Sequence, residues 1–513
     1  MNVMMRTAAL GALAALGPAL FPPAARADVE RIREKALELE QKLNRQLVDV
    51  HLLGDAPNTA RVYKDFDFIL KRSKVDEVME SGDDFRARGL ANYLIRALVE
   101  SELAGYEDDL RSYLQTTTVD LDGRNLTYSD LLKRLAVTED GAERRKVASL
   151  LGPMVETSMV FRSDIANRRV LAYRAQGFAD YADFYGQREG LDLAALQAEA
   201  ESVIALSGTL YDTLFAHVAR RHLGVEPRQV KFSDLAYLTQ GAMFNDLFPG
   251  DAATRMKSVY RGLGVDLSGL VVDIEGRPGQ APGTTVLPVV IPGEVHVNLN
   301  PMGVERDTDE LVYAVGEALL HARAKEPGLE TAYLVNGPAA AAVAWIPRMV
   351  LGESGWIRTE AKGDPTRLAE YLEYRAFQEL YELRALAGLT LFELHVYRGE
   401  NPEKAFRDHF TQASGVRITQ ADSHRGLDSL SQLNVASRFR GLLAAAALRD
   451  QLSGSLGDAW YADGRAAAVL GALWSQGGTL TVDAVMQAAG GVSNSPSRRI
   501  EQIRALATEA GVH

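Results

Sequence analysis

Two side chains that could take part in catalysis stand four residues apart, in a stretch whose apolar spacing predicts a helix over 307–325. They are Glu317 and His321, an acid and an imidazole separated by about one helical turn. Residues at this spacing share a helix face, so the pair can bind one metal ion or hydrogen-bond to each other. On spacing alone, such a pair more often belongs to a solvent-facing helix surface. Its meaning therefore depends on the elements around it.

A β-hairpin is predicted directly before this helix. Two segments, 284–291 and 294–299, alternate in side-chain polarity and flank a Pro-Gly turn pair. After the helix, the segment 334–338 opens a second helix, which the apolar spacing extends to residue 351. The candidate pair is therefore expected on the helix between a hairpin and another helix.

Helical periodicity covers most of the remaining chain. A run from Val29 to Val50 ends at Gly54, which is typical of a helix C-terminus. Further runs occupy roughly 60–80, 84–116, 127–176, 192–224, 365–395, 434–453, 459–475 and 482–510. The pattern predicts an almost all-α protein with one hairpin.

The order of hairpin, helix and second helix resembles that of the helical gluzincin zinc metallopeptidases, namely the oligopeptidase and angiotensin-converting-enzyme-like families. The segment Gly316–His321 stands where those families carry HExxH, and 334–338 stands where a later helix supplies a glutamate ligand. This resemblance implies an all-α, two-lobed peptidase-like fold with the small β-hairpin or sheet bordering a cleft. The chain would be a degenerate member, because it lacks an intact HExxH motif.

Other segments share this resemblance, which covers roughly residues 100–490. Residues 172–185 and 206–224 are similar to the segment ahead of the active site in the converting-enzyme-like family. Residues 438–452 and 454–461 are similar to the closing helices of that family.

The chemistry of a zinc peptidase fails in either register of the motif. A catalytic zinc needs three protein ligands, an open position for water and a neighbouring base, and HExxH supplies two of the ligands at i and i+4. With Glu317 as the base, the ligand positions hold Gly316 and Leu320. With His321 as the second ligand, Glu317 replaces the first histidine and Ala318 replaces the base. Both registers stay open, and both leave Glu317 and His321 as vestiges of a site.

The third-ligand position is also altered. Asn336 stands there, and an amide is a poor zinc ligand compared with a carboxylate. Glu353 is the carboxylate that a rebuilt site could use instead. Two histidines are candidates for contact with a substrate. His424 is, with Asn434, one of the two nearest polar alternatives to the family's oxyanion-stabilising side chains, and His296 alternates within the hairpin so that it can line a groove.

The N-terminus has the pattern of a secretory signal peptide. Residues 1–6 carry one positive charge, 7–20 are apolar, and 25–27 spell Ala-Arg-Ala, so the mature chain is expected to begin at Asp28. We therefore expect an exported protein, periplasmic or secreted, without stable membrane insertion after cleavage. The expected regions are a signal peptide, an N-terminal helical region and a peptidase-like helical region, the last two forming one assembly: 1–27, 28–165 and 166–513.

Composition excludes several partners. The chain has no cysteine, so it forms neither a disulfide nor a thiolate metal site. Removal of the two signal-peptide arginines, Arg6 and Arg26, takes the formal net charge from −12 to −14. This acidic balance argues against nucleic acid or an anionic membrane as a partner.

The leading functional hypothesis is an exported metallopeptidase homologue without catalysis, with no cofactor expected and with peptides as candidate ligands of its cleft. One alternative is an active zinc-dependent oligopeptidase or peptidyl-dipeptidase-like enzyme with remodelled ligands, drawn from Glu317, His321 and Glu353. The other is a structural or interaction protein with a collapsed cleft, which the apolar run 338–350 and its four consecutive alanines favour. The sequence specifies no protein partner.

Overall fold

The computed structural model describes residues 23–82, 84–277 and 280–512. The predicted signal peptide lies, up to residue 22, outside the described residues. The described chain forms helices α1 Pro23–Leu53, α2 Thr59–Lys64, α3 Arg72–Ser81, α4 Phe85–Thr116, α5 Tyr128–Val137, α6 Gly141–Ala175, α7 Tyr181–Glu189, α8 Leu193–Leu223, α9 Phe232–Gln240, α10 Ala252–Gly262, α11 Arg306–Ala322, α12 Gly337–Met349, α13 Ser354–Glu360, α14 Pro365–Tyr397, α15 Pro402–Ser414, α16 Gln420–His424, α17 Asn434–Leu456, α18 Gly464–Trp474, α19 Val482–Ala488 and α20 Pro496–Glu509. A π-helical turn, Leu329–Tyr333, lies between α11 and α12.

Five short strands complete the described part: β1 Thr118–Leu121, β2 Arg124–Thr127, β3 Leu270–Asp273, β4 Gly283–Val290 and β5 Glu294–Asn300. The predicted all-α class with a small hairpin is confirmed, since β4 and β5 pair antiparallel at the expected place. The strand β3 adds to this hairpin in parallel with β5 and gives the order β3-β5-β4. It escaped prediction because a parallel partner leaves no local turn signal. As a result, β4 is an edge strand.

Three helices pack very closely behind the sheet. An ideal β-carbon on Gly316 of α11 would lie 2.8 Å from the Cα of Ala344 in α12, and one on Gly441 of α17 would lie 2.5 Å from the Cβ of Ala341. Glycine weakens a helix by about 1 kcal/mol relative to alanine. At both positions, the close approach of a neighbouring helix explains why a glycine stands there.

One hydrophobic core runs from Val29 in α1 to Val512 after α20, so both ends of the described chain belong to it. A second, smaller cluster lies between the β1–β2 hairpin, α5 and α6. A third joins Val48 of α1 to Leu287 and Val289 of β4 and fixes α1 against the edge strand. None of the described helices is both long and apolar enough to cross a membrane.

Candidate functional site

Helix α11 carries Glu317, the candidate base, on a half-buried face. Burial raises the pKa of its carboxyl, and the guanidinium of Arg438 offsets part of that rise. Within the described ranges, this carboxyl has no hydrogen-bond or ion-pair partner. Ionisation of Glu317 therefore costs free energy, because burial disfavours the charged form and no direct contact stabilises it.

His321, one turn further along α11, is buried with 5% of its surface exposed. Its Nδ1 atom lies 2.7 Å from the carbonyl oxygen of Ala332 in the π-helical turn. A carbonyl can only accept a hydrogen bond, so Nδ1 carries the proton and donates it. Burial lowers the pKa of the imidazole, which is consistent with a neutral ring. The histidine that was expected on a solvent-facing surface therefore joins α11 to the turn before α12.

Asn336, at the third-ligand position, is the N-cap of α12. Its Oδ1 atom accepts a hydrogen bond from the amide of Ala339 at 3.1 Å, and its Nδ2 atom donates one to the carbonyl of Glu189 at 3.0 Å. The carboxylate of Glu189 in turn accepts from the amide of Gly337 at 2.7 Å. Both polar ends of Asn336 are thus used to begin a helix and to hold it against α7.

Glu353 is bound elsewhere. Its carboxylate accepts two hydrogen bonds from the guanidinium of Arg449, both at 2.8 Å, and a third from the indole of Trp460 at 3.1 Å. The structure therefore pairs Glu353 with α17 instead of bringing it to Glu317 and His321. In the described part of the chain, no group of three or more His, Asp or Glu side chains is arranged to hold a metal ion.

The two candidate substrate histidines have carboxylate neighbours. The Nε2 atom of His296 lies 2.9 Å from Glu294, while its Nδ1 atom is buried without a partner. The Nε2 atom of His424 lies 3.7 Å from Glu403. Neither histidine lines the three cavities that follow.

Three adjoining cavities form a cleft in the described part of the chain. The largest, of about 630 Å³, lies between α1, α4, α5, α6 and β4. A second, of about 340 Å³, shares Arg111 and Arg162 with it. A third, of about 270 Å³, shares Gln240 and Met302 with the first and reaches α11 and α14. Because the cavities share walls, we treat them as one continuous cleft.

The edge strand β4 borders this cleft. The carbonyl of Pro288 accepts a hydrogen bond from Asn44 of α1 at 2.9 Å, so the backbone at 288 faces away from β5. Backbone groups alternate in direction along an antiparallel strand, so those of Val286 and Thr284 face the same outer edge. In the described part of the chain, no further strand pairs with this edge of β4. The side chain of Leu287 projects into the largest cavity.

A buried network of charges forms the end of the cleft at α11. Four members of this network also line the third cavity: Arg306, Glu310, Glu382 and Arg438. The network contains five acids and five arginines, which come from five helices and from the residue before α11. Its members are Glu305, Asp309, Glu310, Glu379, Glu382, Arg306, Arg348, Arg375, Arg438 and Arg499.

Glu379 is the centre of this network. It binds Arg348 and Arg499 and lies 2.9 Å from Arg375. Burial raises its pKa, but these three guanidinium groups outweigh burial and hold the pKa well below its usual range. Sequence reasoning missed this network. The available signal was the spacing of Arg375, Glu379 and Glu382 at i, i+4 and i+7, which places the three side chains on one face of α14.

No family model matches the chain, and no curated protein matches it at a significant level. The resemblance to the helical zinc peptidases therefore rests on the segments named above and stays a prediction.

Proposed function

We propose that this protein is a non-catalytic homologue of the helical zinc peptidases that binds extended peptides in its cleft. The observation that carries this proposal is the state of the two side chains available as a third ligand. Asn336 caps α12, and Glu353 is held by Arg449 and Trp460. Glu317 and His321 remain, and two ligands without a third do not make a catalytic zinc site. The residues therefore do not fit the metal that the resemblance implies.

The cleft supports the peptide-binding half of the proposal. Apolar and polar side chains both line it, so that it can receive the side chains and the polar groups of a peptide. The outer backbone edge of β4 can pair with an extended chain, while the neighbouring cavity receives its side chains. Main-chain pairing of this kind supplies affinity with little demand on the peptide sequence.

The test combines metal content, hydrolysis and binding, measured on the full mature protein. After incubation with zinc and dialysis, we expect no stoichiometric zinc by mass spectrometry and no chelator-sensitive cleavage of a fluorogenic peptide library. We also expect saturable binding of labelled peptides from the same library. Stoichiometric zinc together with hydrolysis that chelator abolishes and that falls in Glu317→Ala would contradict the proposal.

One observation favours the alternative of a zinc enzyme with remodelled ligands. His321 donates its Nδ1 proton to a carbonyl oxygen, which leaves Nε2 unprotonated. Metal-bound histidines are commonly oriented by a hydrogen bond of this type. Glu353 would have to leave Arg449 and Trp460 to complete the set. The zinc measurement above separates this alternative from the leading proposal.

A further inference from the structure

We propose that the cleft binds the carboxylate of its ligand at Arg111, an arginine of α4 that lines both the largest and the second cavity. Among the described residues, its side chain makes no hydrogen bond, ion pair or ring contact. Its Nη1 atom is buried without a partner. This inference rests on the proposed function and adds a ligand class to it.

The other arginines of the cleft differ from Arg111, because each has a carboxylate within 3.7 Å. These pairs are Arg162 with Asp428, Arg169 with Glu100, Arg306 with Glu310 and Arg438 with Glu310. The nearest acid on α4, Glu107, lies one turn before Arg111 but binds Arg169 at 2.6 Å. Arg111 is therefore the cleft arginine whose guanidinium is left for a ligand.

An unpaired buried donor is costly, and a charged one more so, unless an acceptor reaches it. A guanidinium presents its N–H groups as a planar fork that fits a carboxylate in two parallel hydrogen bonds. The wall beside Arg111 is aliphatic, formed by Leu110, Leu114 and Ile165. This arrangement suits a carboxylate carried on an apolar chain.

The charge around the site favours a singly charged anion. Arg111 supplies one unpaired positive charge, while Asp428 and Glu107 also border the two cavities. Since Arg162 and Arg169 already pair with these acids, Arg111 can balance one negative charge, and a doubly charged phosphate would keep a second charge unbalanced. A carboxylate can come from the C-terminus of a peptide or from an acidic side chain within it, and both present the same chemistry to Arg111.

The first arm of the test uses wild-type protein and an acetylated hexapeptide of leucine and alanine, measured by titration calorimetry. The peptide is made as the free acid, as the C-terminal amide, and as the amide with one internal Glu or Gln. We expect the carboxylate-bearing forms to bind about tenfold to a hundredfold more tightly than their neutral counterparts. Preference for the free acid identifies the C-terminus as the source, and preference for Glu identifies the side chain. Equal affinity of all four peptides overturns this inference and leaves the proposed function standing.

The second arm uses hexanoate and hexanamide, so that it does not depend on peptide binding. We expect wild-type protein to bind hexanoate in preference to hexanamide. Arg111→Gln should abolish the preference, and Arg111→Lys should keep part of it. Equal binding of the two compounds overturns the inference. Hexanoate selectivity without any peptide binding would keep the Arg111 site and overturn the proposed function.

A matched control removes an arginine outside the cleft. Arg168 on α6 is 46% exposed in its side chain and pairs with Asp164 at 2.7 Å. Arg168→Gln should leave the carboxylate preference unchanged, and loss of the preference in this variant would overturn the assignment to Arg111. The charge of Arg111 stabilises the ionised carboxyl of Glu107 one turn away, so Arg111→Gln should lower the unfolding temperature only slightly, and a thermal melt checks that the variant is folded.

Discussion

The backbone of Ala344 occupies the space beside Gly316 so closely that an ideal β-carbon on the glycine would lie 2.8 Å from the Cα of Ala344. Real β-carbons do not approach backbone atoms to this distance, so any side chain at 316 must push α11 and α12 apart. A histidine at this position is excluded for the same reason. A zinc site in the register with Glu317 as the base would need a histidine at 316, and this packing does not admit one.

Gly316→Ala tests this contact directly. Helix propensity alone favours alanine by about 1 kcal/mol, but the clash should outweigh it and lower the free energy of unfolding by about 1–3 kcal/mol. Gly454→Ala on α17 is the matched control, because nothing lies within 4 Å of an ideal β-carbon there. Urea denaturation of the two variants should show opposite signs. A stabilised Gly316→Ala would contradict the packing described here.

The buried histidine of α11 gives a second prediction. His321→Ala removes the donor to the Ala332 carbonyl and leaves a small void, so the free energy of unfolding should fall by about 1–3 kcal/mol. Leu206→Ala on α8, at a residue that is 54% exposed, should change it by less than about 0.5 kcal/mol. Equal effects of the two substitutions in chemical denaturation would place His321 on an exposed face after all.

The same histidine should contribute a pH dependence. Burial lowers the pKa of His321 in the folded state below the ordinary value of about 6.5. The unfolded chain then binds more protons in this range, so stability falls as the pH decreases below about 6.5. His321→Gln should reduce that slope relative to wild type in denaturation series from neutral to mildly acidic pH. A slope identical to that of the wild type would argue against a buried neutral imidazole.

Glu317 should contribute a pH dependence of stability that is opposite in sign to that of His321. Its pKa is raised in the fold, so its ionised form destabilises the protein once the pH exceeds the ordinary glutamate value of about 4.3. Glu317→Gln should therefore leave the free energy of unfolding unchanged at neutral pH or increase it by up to about 1 kcal/mol. A marked loss of stability would reveal a partner for the carboxylate, such as a bound cation.

The charge network gives the largest expected effect. Glu379→Gln leaves Arg348, Arg375 and Arg499 short of their shared acceptor, which should cost about 3–5 kcal/mol. The pKa of Glu379 is depressed, so its contribution is present above about pH 4.3 and is lost as the pH falls below that value. Glu501→Gln, an exposed position, is the control and should have little effect in the same acid titration.

Local patterns predicted the elements that local contacts determine. The long helices α4, α8, α14 and α17 and the β4–β5 hairpin appear near their expected bounds, because apolar periodicity and turn residues encode them. Periodicity did not predict the helices α7, α9, α10 and α15, because they are short and joined by irregular segments. Periodicity also predicted one helix over 127–176, where the structure has α5 and α6.

The same limit applies to the candidate site, where local spacing identified residues but did not predict their surroundings. Glu317 and His321 were found from their spacing, but the burial of His321 depends on Ala332, and the role of Asn336 depends on Glu189. Those contacts join distant parts of the chain, and a single sequence does not report them. The absence of an ion pair at Arg111 is still harder to predict from the sequence, because it depends on which partner each of the other charged side chains in the cleft binds.

The position of α1 over the edge strand has a consequence for biosynthesis. Asn44 and its acceptor Pro288 are 244 residues apart, and Val48 packs on Leu287 and Val289 of the same strand. At ribosomal rates of about 5–20 residues per second, this end of α1 emerges about ten to fifty seconds before its partner strand exists. Its apolar side chains stay uncovered during that interval. The cleft wall that α1 forms with β4 is thus assembled only after a strand 244 residues further along the chain has been translated.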